Sequence, residues 1–394
     1  MSVLSDDPRY GGIVEPFDSS LFHIAALEGR GNGLIANKFI PAGTLLFREF
    51  PMVQNTSEKQ CLSVDCCLWC ANKIVGEPAH CCSGCKLNFC SGSCQELAAK
   101  GGHKWLCSLY GMGGLIERLA AGDRQGNVIL ALKLYGKVAQ LVLEDSSISP
   151  DAALDTLLQG LQQEDYCRVV HAFRTGMFGD QVDEDMFNNL IAPAYFRATL
   201  EGPLESFRAH FASPEMVGLW GSVERADSFI HSKLFTEDIT LRNIVGCYMQ
   251  NALEVSTRSP APLSVFQDAT ATATATARGP PATITGKGLY RMYAMLNHSC
   301  DCNTQNDISS EPGQSSSVVL VYTRRDVQPH EELTTTYLHV ADGRALSRRK
   351  RHRALKQYTF ACNCSVCETE YMSLPEAERD LSDSDDSSDD SSDD

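Results

Sequence analysis

Between residues 67 and 107 the chain carries four short pairs of metal-ligand residue types: Cys67-x2-Cys70, Cys82-x2-Cys85, Cys90-x3-Cys94 and His103-x3-Cys107. Thiolates and an imidazole at such spacings, on tight loops or one helical turn, are what closed tetrahedral zinc sites require. Eight ligands make two sites. A segment of roughly 40 residues has too small a core to fold unaided, so metal and fold go together there. Cys66 and Cys81 would each turn an x2 spacing into x3, and the x2 pairs are preferred; Cys61 is given no role. A further group, Cys362-x-Cys364-x2-Cys367, puts three ligands on one short loop and needs a fourth from elsewhere. Seventeen cysteines clustered in this way point to metal and not to disulfides.

Around the finger the sequence changes character. Residues 21–51 alternate apolar and polar positions, broken by Gly29-Arg30-Gly31-Asn32-Gly33 and Pro41-Ala42-Gly43. That is the pattern of short strands joined by tight turns. No helix pattern and no Gly-Lys-Ser follows the glycines, which excludes a phosphate loop. Residues 110–245 are mostly helical, with Leu115, Leu119, Val128, Leu130, Leu132, Val138, Leu141 and Leu143 at helical spacings. His171, His210 and His231 stand singly in this block and are assigned no chemistry. Strand-like sequence is expected again from Gly246 to Val255, from Val318 to Thr323 and from Glu331 to Tyr337. Residues 256–283 contain an Ala-Thr repeat and read as an inserted loop. Arg344 to Arg353 reads as a basic helix with a solvated face, a nuclear-import signal being the alternative, and residues 380–394, only Asp and Ser apart from Leu381, as a disordered tail.

The net charge of −16 argues against a nucleic-acid binder and suits a basic partner. No run of about 18 apolar residues occurs, so no membrane span is expected. The polar N-terminus lacks the basic start and apolar core of a signal peptide. A cytoplasmic or nuclear monomer is expected.

Four features combine at long range: the glycine-rich turn, Asn297-His298-Ser299-Cys300 at the end of an apolar run, Tyr337 shortly after Glu331-Glu332-Leu333, and the terminal cysteine group. Together they resemble the SET methyltransferase domain. With the finger inserted, the chain is similar to the SET and MYND family, and its short C-terminus and acidic tail resemble the fifth branch of that family. The resemblance implies an α+β fold: a SET β fold split by a MYND zinc finger and a helical insertion, with a zinc-bound post-SET segment. The implied segments are 20–60 and 246–342 for SET, 61–107 for the finger, 108–245 for the helices, 343–370 for the post-SET segment and 371–394 for the tail. It further implies S-adenosylmethionine-dependent methylation of lysine in a basic protein, such as a histone tail or a ribosomal or translation protein. The turn with Arg30 and Asn32 would cradle the methionine end of the cofactor. Asn251, Asn297 and His298 would bind it, Phe360 would stack on its adenine, Tyr358 would line the lysine channel, and Tyr337 would be catalytic. In that family the finger pairs interleave. Cys67, Cys70, Cys90 and Cys94 would then hold one zinc, and Cys82, Cys85, His103 and Cys107 a second. Cys300 would join Cys362, Cys364 and Cys367 on a third. Cys302, Thr334-Thr335-Thr336 and the Ala-Thr insertion depart from the family pattern.

A competing reading is an inactive adaptor whose finger recruits proline-containing peptides. The presence of Asn297, His298 and Tyr337 separates the two, since an inactive relative is expected to have lost at least one. A zinc-finger ubiquitin ligase would leave the Asn-His-Ser-Cys stretch unexplained.

Overall fold

A computed structural model of the chain describes residues 20–56, 67–70, 80–110, 126–161, 202–257, 283–308, 318–338 and 346–375, with a few isolated positions besides. Cys61, Cys66, His171, the Ala-Thr repeat and the acidic tail lie outside the described residues. The alternating segment near the start forms a hairpin of β1 (Phe22–Leu27) and β2 (Gly31–Ala36). Its turn places Gly29 and Gly31 at φ +68° and +71°, a region that side chains disfavour. β12 (Glu332–Thr335) adds to β2 in antiparallel fashion, with Leu333 opposite Leu34. Its other edge pairs in parallel with a two-residue strand, β9 (Asn297–His298). The resulting order is β1-β2-β12-β9. A second sheet joins β10 (Thr304–Ile308), β11 (Val319–Thr323) and β3 (Leu45–Glu49). Phe22, Leu34, Phe47, Val319, Val321 and Leu333 share one core beneath these strands.

A third sheet brackets the insertion. β4 (Val53–Thr56) and β7 (Ala252–Thr257) flank β8 (Thr283–Leu289) on either edge. Between β4 and β7 in the chain come the finger and the helices. The finger has the ribbon β5 (His80–Cys81) with β6 (Asn88–Phe89), then α1 (Gly92–Lys100) and α2 (His103–Leu106). The described helices that follow are α3 (Gly126–Glu144), α4 (Pro150–Leu158), α5 (Gly202–Phe211), α6 (Pro214–Trp220), α7 (Val223–Ile230), α8 (Lys233–Thr236) and α9 (Asp238–Asn251). Finger and helices share a second core. Trp105 of α2 packs on Trp220 at 4.3 Å between ring centroids and on Phe211 at 6.0 Å. Gly102 lies so close to the backbone of Gly136 in α3 that any Cβ would collide with it. Among the described residues no helix is long and apolar enough to cross a membrane.

One expectation is corrected. Residues 246–251 are helical and not strand-like, since α9 runs to Asn251. Leu241, Ile244, Val245 and Tyr248 recur at three- and four-residue spacing and are buried, and α9 packs on α3. Packing of that stripe outweighs the strand propensity of its β-branched and aromatic residues.

Glu49, the last residue of β3, is 2 % exposed. It accepts hydrogen bonds from the backbone N–H groups of Met292 and Tyr293, each at 2.9 Å. Those residues open the 3-10 turn Tyr293–Met295 that delivers the chain to β9. Burial pushes the Glu49 carboxyl up to about 7, against the backbone donors that favour its charged form. The folded chain thus holds this proton more tightly than the unfolded one. The matching stability is full below the unfolded value of 4.5 and is lost as pH climbs through about 7. Relative to a non-titrating Glu49→Gln variant, wild-type stability is expected to fall between about pH 6 and 8 by about 1 kcal/mol. Melting curves of both proteins across that interval check this, and a constant difference would contradict it.

Candidate active site and metal centres

Three groups of four ligand atoms come together, each with all atoms within 4.8 Å of one another: Cys67, Cys70, Cys90 and Cys94; Cys82, Cys85, His103 and Cys107; and Cys300, Cys362, Cys364 and Cys367. A zinc ion about 2.3 Å from each sulfur sets tetrahedral S···S edges of about 3.8 Å. The structure has Cys70–Cys90 at 3.5 Å, Cys90–Cys94 at 3.6 Å, Cys300–Cys367 at 3.6 Å and Cys300–Cys362 at 3.9 Å. His103 Nε2 lies 3.4 Å from Cys82 and 3.6 Å from Cys85. These edges fit tetrahedral zinc and are far longer than a disulfide bond. Burial pushes His103 down to about 4, so the ring is neutral at physiological pH, the form that ligates. Cys81 is exposed and outside the groups.

The third group sits against a buried cation. Arg351 is fully buried and was expected on a solvated face; the basic run is therefore solvated only in part. It lies on α10 (Arg348–Leu355), which packs on α11 (Ser365–Ser373). Its Nη2 approaches Cys367 Sγ at 3.3 Å and donates to Glu370 Oε2 at 2.9 Å. Four thiolates around a divalent ion carry a net charge of −2, and a guanidinium at one sulfur offsets part of it.

A cavity of about 480 Å³ opens beside this group. Its wall includes Gly29, Arg30, Gly31, Gln163, Gln250, Asn297, His298, Thr334, Tyr337, Tyr358, Phe360 and Cys362. The turn between β1 and β2, the β9 strand, the end of β12 and the segment after α10 thus converge on one volume. Thr359, at φ +62°, turns the chain from α10 along the cavity wall. Such a conformation is uncommon for a β-branched residue and clusters at functional sites.

Tyr337 is held at both ends. Its hydroxyl donates to Leu296 O at 2.9 Å, and its backbone N–H donates to His298 Nδ1 at 3.0 Å. Nδ1 therefore carries no proton, which leaves a neutral ring with its hydrogen on Nε2, 3.5 Å from Cys300 Sγ. Burial pushes His298 down to about 4, in keeping with that form. Burial, with Tyr358 and Tyr293 near, pushes the Tyr337 phenol up, so it stays protonated at neutral pH. The Tyr337 and Tyr358 rings lie 4.7 Å apart, and Phe360 meets Tyr337 edge-on at 6.2 Å.

Of the residues singled out in the sequence, Arg30, Asn297, His298, Tyr337, Tyr358 and Phe360 line the cavity. Asn32 and Asn251 do not. The carbonyl of Asn32 accepts from Asn297 Nδ2 at 3.1 Å. Asn251 turns its amide back to Cys247 O at 2.8 Å, and the preceding Gln250 lines the cavity instead. Gln250 is 9 % exposed, and its Oε1 has no hydrogen-bond partner. An orphaned buried acceptor in the wall, a cation at the rim and three aromatic rings suit a polar ligand with a flat ring system. S-adenosylmethionine fits that description. Gln163, Gln250 and Thr334 were not foreseen; a polar side chain inside a helical or strand pattern carries no local mark of the cavity it will face. His210 and His231 bond to backbone carbonyls, Trp105 O at 2.7 Å and Asp227 O at 2.8 Å.

Fold and site define an α+β protein that brings together, among the described residues, three four-residue groups of metal-ligand types and a cavity beside the pairing of β9 with β12. The SET domain family profile matches residues 31–338, most of the chain, and the chain belongs to that family. Histone-lysine N-methyltransferase SET5 of Candida glabrata is 35 % identical over 82 residues, 21 % of this chain and 14 % of that protein. Histone-lysine N-methyltransferase SMYD3 of Homo sapiens is 36 % identical over 85 residues, 22 % of this chain and 18 % of that protein. The matched stretches thus span less than a fifth of either relative. The crystal structure of the SET domain of LSMT bound to lysine and AdoHcy aligns with a TM-score of 0.36 at 10 % identity, over 89 % of this chain and 54 % of that one.

Metal analysis of the purified chain is expected to return three ions, and two for Cys300→Ser. Because His298 lies between Cys300 and the Tyr337 N–H, that variant is also expected to lose ligand binding in the cavity, read by calorimetry. Full metal content in Cys300→Ser would show that Cys300 is not a ligand.

Proposed function

We propose that the chain is an S-adenosylmethionine-dependent protein-lysine N-methyltransferase. The observation that carries this reading is the convergence of Arg30, Asn297, His298, Tyr337, Tyr358 and Phe360 on one cavity from four distant segments. Arg30, Asn297 and His298 would hold the amino-acid end of the cofactor, and Phe360 its adenine. When bound, the cofactor supplies an electrophilic methyl group on a positive sulfonium. Tyr337, tethered through its N–H and its hydroxyl, orients the incoming amine; a protonated phenol does not act as its base. Tyr337, Tyr358 and Phe360 keep water from the channel. Burial beside a positive charge lowers the pKa of the substrate lysine and favours the neutral, nucleophilic amine. Most of the acceleration then comes from orientation in a dry site.

The segment boundaries given above frame this reading. The finger and helices form an insertion between β4 and β7, and the post-SET cysteines are clamped by zinc onto Cys300. The three zincs are structural, with every coordination position filled by protein. The net charge of −16 supports a basic protein as substrate, a histone tail or a ribosomal or translation protein, in the cytoplasm or nucleus.

Calorimetry on the zinc-loaded chain is expected to show S-adenosylmethionine binding that weakens at least about tenfold in Asn297→Ala. With a basic protein substrate, Tyr337→Phe is expected to lower kcat by about a hundredfold or more while cofactor affinity changes little. A folded wild-type chain that binds no cofactor would overturn the proposal and favour the adaptor reading.

A further inference from the structure

Glu332 has no part in the roles so far assigned, yet it lies just behind the cavity wall and bonds two residues that line it. Its Oε2 accepts from Arg30 Nη1 at 2.6 Å, and its Oε1 accepts from Asn297 Nδ2 at 2.9 Å. The second arm of Arg30 reaches His298 O at 3.3 Å. One carboxylate on β12 therefore ties the glycine-rich turn to β9, across sequence separations of 302 and 35 residues. Gly33 is part of the device. A Cβ there would press on the end of the Leu27 side chain and lie 3.1 Å from Glu332 Oε1 and 3.2 Å from Asn297 Nδ2, so a side chain at this point of β2 would crowd the contact between carboxylate and amide.

The Arg30 side chain is 39 % exposed and that of Glu332 16 %. An ion pair this open contributes little to stability, because water and salt screen it. Its value lies in position. Arginine is a long side chain with many rotamers, and fixing it before a ligand arrives removes an ordering cost from binding. The pair also sets the charge of the site. An unopposed guanidinium favours any anion, whereas a guanidinium with a carboxylate beside it favours a zwitterion, whose ammonium and carboxylate each find a counterpart.

We propose that Glu332 is a positioning residue for the methyl donor, holding Arg30 and Asn297 so that the cavity reads the zwitterionic amino-acid end of the ligand. The inference rests on the methyltransferase reading. Its test compares two probes by calorimetry on the zinc-loaded full chain: S-adenosylhomocysteine, and 5′-methylthioadenosine, which lacks the amino-acid end. Glu332→Gln is expected to weaken S-adenosylhomocysteine about tenfold, while 5′-methylthioadenosine affinity stays within about twofold and the melting temperature barely moves. Combining Glu332→Gln with Arg30→Ala is expected to cost little more than Arg30→Ala alone, since Gln keeps an oxygen for Asn297 and what it gives up is the contact to Arg30. Equal losses for both probes, additive losses, or unchanged affinity would overturn the proposal. Should Glu332→Gln fail to fold, Glu332→Asp keeps the charge with a shorter reach, and a partial loss confined to S-adenosylhomocysteine is expected. A folded wild-type chain that binds neither probe overturns the methyltransferase reading first, and this inference with it.

Discussion

Everything in the site hangs on a two-rung parallel pairing, Asn297 against Thr334 and Thr335 against His298. A strand of two residues cannot hold itself in place. Three struts fix it. Glu49 binds the backbone of Met292 and Tyr293 just before it. Asn303, 1 % exposed, accepts from Thr334 N at 2.8 Å and donates to Glu332 O at 2.8 Å just after it. Thr304 Oγ1 closes the bridge on Thr334 O at 2.9 Å. Of the threonines that depart from the family pattern, Thr334 also brings its hydroxyl to 3.5 Å from Asn303 Oδ1, and Thr336 Oγ1 accepts from Leu338 N at 3.2 Å, side-chain contacts that an apolar residue would lack.

The third metal group works at the same place from the other side. Cys300 lies two residues beyond β9, and its three partners follow the basic helix. His298 stands between Cys300 Sγ and the backbone of Tyr337, so the ring that touches the cavity also touches the metal centre. Arg351 backs the group with its guanidinium on Cys367 and its second contact on Glu370. Cysteine group, histidine and tyrosine form one continuous contact chain, in which each member fixes the orientation of the next.

The ligand pairs were legible in the sequence because ligation imposes short, local spacings, and the strands of residues 21–51 because alternation is local too; which pairs come together, and Cys300 as the fourth member of the last group, came from the resemblance. The cavity was legible only through resemblance. Nothing near Arg30 announces that it will meet Glu332, and Glu332 looks like any solvated acid before a strand. Arg351 was misplaced for a related reason. In a run of basic residues the buried member differs from its neighbours only in what packs against it, here Cys367 and Glu370. At Asn251 the residue type was the expected one, but helix α9 turns it inward and presents Gln250. Where a role arises from tertiary juxtaposition, local pattern carries no trace of it.

The bracketing of the insertion by β4 and β7 has a consequence for biosynthesis. The β1–β2 hairpin leaves the ribosome ahead of its partner β12, which lies some 300 residues later. Until that strand appears, β2 offers an open edge to solvent, the kind of edge that invites pairing with other chains. Meanwhile the finger and helices, whose core is largely their own, can take shape. High contact order of this kind slows the final step and lengthens exposure of the nascent hairpin. β2 carries no Pro or Lys and only one polar side chain, Asn32, so the shielding of that edge during synthesis must come from outside the strand.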